Sequence, residues 1–325
     1  MKNTRDYLFD NYKAMLMVLV VIGHFVQPCY ENNLLLYTIK YVIYAFHMPA
    51  FIFISGYFSK KDMPWEKAVQ KLLIPYFAFH FMYYFYYTCF LGLDLPLNVA
   101  APKFTLWYLL ALFAWRVITP YFRKVPHCFW VSVGLGLAFG LIPISMVALS
   151  ISRIFVLYPF FLAGLYLDRN KLVELRNKRN RVIGIVGMIA FTVFCATGAK
   201  AVGFQVRYFY GKSCYLDMGQ GAIDGILVRL LCYGIGFFFI YAIAILMTEK
   251  QTRFSKLSNA SMAIYLFHGL LYKFFEHKTT ILEKVDTIPE SIMLLMFCVR
   301  LTYLFSRKVF CKFTNVFMNI NIKRW

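Results

Sequence analysis

Runs of about twenty apolar residues recur along almost the whole chain, and they limit what it can fold into. A helix needs roughly 20 such residues to cross the hydrocarbon core of a bilayer. The fifth of ten candidate stretches is short and rich in glycine (VGLGLAFGLIP). The ten lie at 11–29, 35–58, 72–92, 104–122, 128–142, 144–167, 182–199, 222–247, 257–275 and 288–306. This pattern predicts an all-α, polytopic integral membrane protein with about ten transmembrane helices.

Composition excludes a soluble fold. Hydrophobic residues make up 61% of the 325 positions, whereas soluble domains have roughly 45–50%. We expect one membrane domain over residues 1–325, because no internal repeat divides it. The start of the chain is polar and no small-residue cleavage site follows the first apolar run, so residues 15–28 are interpreted as part of a retained span.

The net charge of +20 is interpreted as a topology signal rather than as nucleic-acid binding, because cytoplasmic loops are enriched in Lys and Arg. With a cytoplasmic N-terminus, 23 lysines and arginines fall in the cytoplasmic segments and six outside. This asymmetry predicts both termini in the cytoplasm and a multi-pass location in the cell (plasma) membrane. Membrane lipid is then an expected partner and nucleic acid is not.

Ionisable residues inside spans are functional candidates, because lipid does not solvate them. They are His24, Lys40, His47, His80, Arg116, Arg153, Arg229, His268, Lys273 and Arg300. Acidic groups are almost absent from the spans, although proton-coupled pumps usually use a buried carboxylate relay. Any acid–base chemistry would therefore fall to histidine. The eight cysteines contain no CxxC pair, and no metal site is predicted.

The first span places a cation and an imidazole on one helix face. Lys13 and His24 are eleven residues apart, which returns to nearly the same face after a rise of roughly 16 Å. A phosphate-bearing carrier at Lys13 could extend a thioester arm toward His24. The alternative is an interfacial lysine that reaches toward the headgroups and a histidine that packs between helices.

The second span contributes His47 near its middle and Ser55 before a basic end, YFSKK. Ser55 and Gly56 also fit close helix packing through small residues. The guanidinium groups of Arg116, Arg153 and Arg229 suit phosphate or carboxylate. Their alternative partners are backbone carbonyls and Asp224.

Four blocks, in order between residues 5 and 275, resemble the acyltransferase 3 family of integral-membrane acyltransferases. They are FDNYKAMLMVLVVIGH, FHMPAFIFISGYFSKK, FTLWYLLALF and FSKLSNASMAIYLFHGLL. The first matches a basic residue, ten intervening residues and a histidine, and the last ends at His268. The fucose 4-O-acetylase-like branch, which includes capsule and intercellular-adhesin acyltransferases, is the most similar group.

The resemblance implies transfer of an acetyl or other short acyl group from cytoplasmic acyl-CoA to a hydroxyl of an extracytoplasmic or lipid-linked cell-surface glycan. Much of the family has an Arg-x-x-Arg pair where this chain has Lys67, Gln70 and Lys71. Lys67 and Lys71 share a helix face and are expected to replace that pair in binding the donor's phosphates.

The residue pattern and the resemblance together suggest a role for each candidate residue. We expect Lys13, Lys67, Lys71 and Arg116 to bind acetyl-CoA, with Asp10 positioning Lys13. His24 is the expected general base, with His47 and Ser55 orienting the thioester or stabilising its oxyanion. A histidine-bound acyl intermediate is the alternative route.

Arg153, Arg229 and His268 are the expected acceptor-binding residues. The competing function is a multi-span transporter or flippase for a glycolipid or a small anion. A homo-oligomer is compatible with the sequence, which does not determine the oligomeric state. The enzyme hypothesis requires a cavity that joins Lys13 to His24.

Overall fold

The computed structural model describes residues 5–143 and 150–320, and every regular element in these two ranges is helical. The all-α prediction is therefore confirmed for the described chain. The helices are α1 Tyr7–Phe25, α2 Leu34–Tyr57, α3 Trp65–Ala68, α4 Ile74–Phe85, α5 Trp107–Phe122, α6 Cys128–Ala138, α7 Ile151–Leu165, α8 Arg169–Glu174, α9 Lys178–Thr197, α10 Ala222–Leu246, α11 Ser261–Lys278, α12 Ile288–Phe305 and α13 Lys308–Met318.

Each predicted span coincides with a helix, but the helices differ in length. Five of those described, α1, α2, α9, α10 and α12, are long and apolar enough to cross a bilayer, whereas α6 and α7 are shorter. π-Helical turns at Val69–Leu73 and Tyr86–Phe90 extend α4 at both ends. The sixth predicted span begins at 144, and residues 144–149 lie outside the described chain. The count of ten spans thus stays a prediction.

Helix α9 presents a surface suited to lipid. Only 11% of its most apolar stretch is buried against the rest of the protein. The exposed side chains are aliphatic and include Val182, Ile183, Ile185, Val186, Ile189 and Val193. Because a soluble protein rarely exposes so large a contiguous apolar surface, this helix supports a membrane setting.

The polar connections meet in two separate groups. In one group, Lys60 donates to the carbonyl of Leu167 (2.6 Å), and Arg169 forms ion pairs with Asp6 (3.1 Å) and Glu249 (2.7 Å). All of these residues lie in or beside segments predicted to be cytoplasmic.

The second group joins segments predicted to lie outside. Asn32 donates to the carbonyls of Glu283 (2.8 Å) and Val285 (2.9 Å), and Tyr41 donates to the carbonyl of Phe204 (3.0 Å). These contacts group segments predicted to be cytoplasmic with one another, and segments predicted to lie outside with one another. Which end faces the cytoplasm stays a prediction.

Helix α1 is largely buried and packs against α2, α11 and α12. The side chain of Asp6 caps it by accepting a hydrogen bond from the amide of Leu8 (3.2 Å), which satisfies one of the free donors of the first turn. Because this helix carries both Lys13 and His24, its packing brings other helices around both residues.

Helices α2 and α7 touch through two glycines. A β-carbon on Gly56 would lie within 3.0 Å of backbone atoms of Phe161 in α7, and one on Gly164 would lie equally close to Phe53 in α2. The small-residue interpretation of Gly56 is therefore confirmed, since backbones can approach this closely only without side chains.

The charge pattern places residues after 306 in a cytoplasmic segment and gives no sign of α13. Phe310 of this helix lies 4.9 Å from Phe267, and Phe317 lies 5.7 Å from Phe79, measured between ring centroids. The opposite face carries exposed lysines, including Lys312. Such an amphipathic helix suits the membrane interface.

Candidate active site

Two cavities lie within the bundle on either side of a small group of aromatic rings. The first, which we call the His24 cavity, has a volume of about 230 Å³ and is lined by His24, His47 and Arg153 among others. The second, the Lys13 cavity, has a volume of about 280 Å³ and is lined by Lys13, Ser55 and Arg116 among others. Helix α1 therefore does present both residues toward internal space.

The two cavities abut but are not one channel. Phe51, Tyr108 and Tyr265 line both of them, and we call these three side chains the ring partition. The sequence-based hypothesis required a cavity joining Lys13 to His24. The structure has two cavities, one for each residue, with the ring partition between them.

The Lys13 cavity is cationic. Lys13 makes no hydrogen bond or ion pair with any residue in the described ranges, and no carboxylate appears among the lining residues described. Arg116 donates to the carbonyls of Lys61 (3.2 Å) and Phe58 (3.3 Å) just beyond the C-terminus of α2. An unpaired ammonium beside a guanidinium favours an anionic ligand such as phosphate.

Three of the residues expected at the donor site line neither cavity. Asp10 binds Arg5 and accepts from the hydroxyl of Ser258 (2.8 Å), and it makes no hydrogen bond with Lys13. Lys67 and Lys71 line neither of the two cavities, and the ammonium of Lys71 donates to the side chain of Asn319 (3.0 Å). Lys13, Arg116 and Ser55 are thus the predicted residues that the structure brings together here.

The His24 cavity contains a cluster of rings. The centroid of the His24 ring lies 4.6 Å from that of Phe104, 5.3 Å from that of His268 and 6.0 Å from that of Tyr272. His268 is fully buried. The four blocks of sequence motif therefore converge, since they supply His24, His47, Tyr108 and His268 to one region.

Backbone carbonyls fix the tautomers of two histidines. Nδ1 of His47 lies 2.8 Å from the carbonyl oxygen of Ile43, and Nδ1 of His268 lies 2.9 Å from that of Ile264. A carbonyl oxygen only accepts, so each Nδ1 carries the proton and each neutral ring has its lone pair on Nε2. Nε2 of His268 is buried without a partner among the described residues, and His24 is its neighbouring ring.

Cations also surround the His24 cavity, and none of the described lining residues is acidic. The guanidinium of Arg153 lies 4.6 Å from the ring centroid of Trp107 and uses Nε to donate to the carbonyl of Tyr210 (3.4 Å). Lys273 is paired with Glu276. Burial, and secondly the charge of Arg153, lower the pKa of Lys212 in the outer segment. The balance of charge favours an anionic group in this cavity.

Arg229 has a packing role in the structure. Its guanidinium donates to the carbonyls of Gly136 (3.0 Å) and Ser213 (3.2 Å) and lies 4.6 Å from the ring centroid of Tyr215. It lines neither cavity. This placement corresponds to the carbonyl-pairing alternative, so it does not favour contact with substrate.

The sequence analysis missed Tyr108, Tyr265 and Lys212 as site residues. Both tyrosines occur in the motif blocks FTLWYLLALF and AIYLFH, where a polar group within an apolar run was the available signal. Lys212 lies in an outer loop that offered no such signal. Within the described ranges, no cluster of three or more His, Cys, Asp or Glu side chains could hold a metal ion.

The model of the acyltransferase 3 domain matches residues 6–319, which is nearly the entire chain. The chain belongs to the acyltransferase 3 family. Members of this family are membrane proteins, which agrees with the apolar helices described above.

Two curated relatives carry the name nodulation protein NolL. The protein from Sinorhizobium fredii is 29% identical over 239 residues, covering 67% of this acyltransferase 3 chain and 59% of the relative. The protein from Mesorhizobium japonicum is 45% identical over 60 residues, or 18% of this chain and 16% of the relative. The match thus spans about three fifths of the length of the first relative. No solved structure matches the chain.

Proposed function

We propose that this protein is a plasma-membrane O-acyltransferase with about ten spans and cytoplasmic termini. It moves an acetyl or other short acyl group from cytoplasmic acyl-CoA to a hydroxyl of an extracytoplasmic or lipid-linked cell-surface glycan. The observation that carries the proposal is the pair of cavities on α1, one with Lys13 and the other with His24, which meet at the ring partition. Family membership supports acyl transfer as the reaction.

The Lys13 cavity fits the acyl-CoA donor. The unpaired ammonium of Lys13 and the guanidinium of Arg116 supply positive charge for its phosphates, and the apolar side chains of Ile54, Leu109 and Leu112 line the same space. The narrow thioester arm suits this apolar part. Lys67 and Lys71, which lie outside the lining, remain candidates for phosphates that extend beyond the cavity.

His24 performs the proton transfer in this proposal. A ring nitrogen of His24 takes the proton of the acceptor hydroxyl while the hydroxyl oxygen attacks the thioester carbonyl carbon. The tetrahedral intermediate then collapses, the carbon–sulfur bond breaks, and the departing thiolate receives the proton from His24. His47, whose Nδ1–H is held by the carbonyl of Ile43, contributes to orienting the reacting groups.

His268 positions His24. Its Nδ1–H is held by a carbonyl, so its buried Nε2 presents a lone pair beside the His24 ring. An N–H of His24 that turns toward this lone pair would leave the other ring nitrogen of His24 as the base. His268 thus acts through His24 rather than on the acceptor, which differs from the acceptor-binding role expected from the sequence.

Arg153 and Lys212 provide the acceptor end with positive charge. Two guanidinium nitrogens of Arg153 make no hydrogen bond with the described residues, so they are available for a carboxylate or phosphate. A lipid-linked glycan carries phosphate next to its sugar, which fits this charge.

Transfer of label tests the function against the transporter alternative. The purified protein in lipid nanodiscs is supplied with acetyl-CoA labelled in the acetyl group and with a crude envelope extract as acceptor. We expect label to appear in ester linkage on the extracted glycan, and His24→Asn protein to give at least about a hundredfold less. Movement of glycolipid in proteoliposomes without any acylation would instead establish a flippase.

A further inference from the structure

The ring partition is built from three helices that are far apart in sequence. Phe51 comes from α2, Tyr108 from α5 and Tyr265 from α11. The ring centroids of Phe51 and Tyr108 are 5.4 Å apart and those of Tyr108 and Tyr265 are 5.9 Å apart, both in edge-on contact. The three rings therefore form a continuous aromatic layer between the two cavities.

Hydrogen bonds hold two of the three rings. The hydroxyl of Ser55 donates to the carbonyl of Phe51 (2.9 Å), so the hydroxyl of Tyr108 must donate to Ser55 Oγ (2.5 Å). The hydroxyl of Tyr265 donates to the carbonyl of Thr105. Phe51 has no polar group and is held by packing alone. The partition therefore has two rings held by hydrogen bonds and one ring, Phe51, held by packing alone.

The inference rests on the proposed function, which requires the acyl group to pass through this layer. The donor's charged end belongs in the Lys13 cavity, whereas the acceptor hydroxyl must meet His24 on the other side. An apolar constriction of this kind excludes water, so it also keeps the two sides of the membrane separate. Only the acylated end of the donor has to cross.

We infer that the ring partition selects the acyl group by length, with Phe51 as the ring that turns to admit it. An acetyl group is smaller than the phenyl ring that turns aside, so it fits the space that the ring vacates. A chain bulkier than that ring, such as hexanoyl, would need the space of Tyr108 and Tyr265 as well, and their hydroxyls are tied to Ser55 and Thr105. The substrate class is therefore the short, acetyl-sized acyl-CoAs.

Chain-length profiles test this selection. Transfer from acetyl-, butyryl- and hexanoyl-CoA to the same envelope acceptor is measured for wild type, Phe51→Ala and Phe51→Leu. We expect the ratio of kcat/KM for hexanoyl-CoA to that for acetyl-CoA to rise about tenfold in Phe51→Ala and less in Phe51→Leu. An unchanged ratio in either active variant would overturn the inference.

The matched control is Phe46→Ala. Phe46 lies on the same helix, is buried, stacks on Phe239 at 5.1 Å and lines neither cavity. Its loss loosens packing without opening the partition, so the ratio should stay at the wild-type value. An equal rise in this variant would assign the effect to general loosening and would contradict the inference.

A second measurement does not depend on turnover. Met48 lines the His24 cavity, and Met48→Cys protein in vesicles is exposed to an anionic, membrane-impermeant methanethiosulfonate from the Lys13 face. We expect reaction at this cysteine to be at least about tenfold faster when combined with Phe51→Ala. Protein without the added cysteine gives the background from the eight native ones.

The two experiments distinguish failure of the proposed function from failure of the inference about the ring partition. If wild-type protein transfers no acyl group from any acyl-CoA, the proposed function is wrong, and the thiol reaction still reports on the partition. If the reagent reaches Cys at position 48 equally fast with and without Phe51, the three rings do not divide the cavities and the inference fails, whatever the activity.

Discussion

The Lys13 and His24 cavities are both cationic, yet their polar groups have different chemistry. In the Lys13 cavity the polar groups are an ammonium and a guanidinium, which suit anions, next to serine hydroxyls. The His24 cavity adds imidazoles, whose neutral rings can accept a proton at one nitrogen and donate one from the other. The difference indicates a division of work, with recognition of charge on one side of the ring partition and proton transfer on the other.

Loss of the imidazole of His24 should have the largest effect. We expect His24→Asn to lower kcat by about 10²–10⁴-fold, because asparagine has no basic nitrogen. Steady-state kinetics with labelled acetyl-CoA measure this. His127→Asn is the control, since His127 is exposed with a positive φ of 52° that asparagine tolerates. Near-normal turnover by His24→Asn would mean that the His24 cavity does not carry out proton transfer.

Loss of Lys13 should act on donor binding. We expect Lys13→Ala to raise the KM for acetyl-CoA about tenfold or more, with a smaller change in the KM of the acceptor, because one contact to a charged group is removed. Lys124→Ala, an exposed lysine just after α5, serves as control. A larger shift in the acceptor's KM than in the donor's would reverse the assignment of the two cavities.

His268 should affect the rate through His24. We expect His268→Gln to lower kcat about tenfold and to shift the pH dependence of kcat, because the orientation and basicity of His24 change. His80→Gln is matched to it, since His80 is also fully buried with an unpartnered ring but lines neither cavity. A pH profile that keeps its wild-type shape in His268→Gln would leave His268 with a packing role only.

Arg153 should affect the acceptor. We expect Arg153→Gln to raise the KM of the acceptor several-fold, up to about tenfold, while the KM for acetyl-CoA stays unchanged, because the lost hydrogen bonds go to a charged group. Arg207→Gln is the control, because Arg207 is exposed in the same outer segment and does not line the cavity. Isothermal titration with acetyl-CoA checks that donor binding is intact.

The smallest effect concerns stability at the end of the bundle nearest the Lys13 cavity. The hydrogen bond from Arg169 lowers the pKa of Glu249 below its ordinary value. The pair therefore stabilises the fold above the unfolded pKa of about 4.3 and stops doing so as the pH falls through the lowered folded pKa. Glu249→Gln should cost at most about 1 kcal/mol, because the pair is partly exposed.

Thermal melting in detergent at pH 7 and at pH 3 measures that effect. The difference in Tm between wild type and Glu249→Gln should be present at pH 7 and should shrink in acid. Glu66→Gln, at an exposed position with no ion pair among the described residues, should show no difference at either pH. A difference in Tm that grows in acid would contradict the prediction that the ion pair stabilises the fold at neutral pH.

Local sequence patterns predicted the helices and the shared face of α1, because both follow from spacing along one element. Lys13 and His24 were found in this way. The ring partition was not predictable, because Tyr108 and Tyr265 are distant in sequence and meet only through helix packing. Arg229 was misleading for a related reason, since its partners at Gly136 and Ser213 lie far along the chain.

The close approach of α2 and α7 at Gly56 and Gly164 limits how this molecule can move. Because backbone packs directly against backbone at this point, we expect the two helices to move together as one rigid pair. A crosslink between α2 and α7 should therefore leave turnover intact.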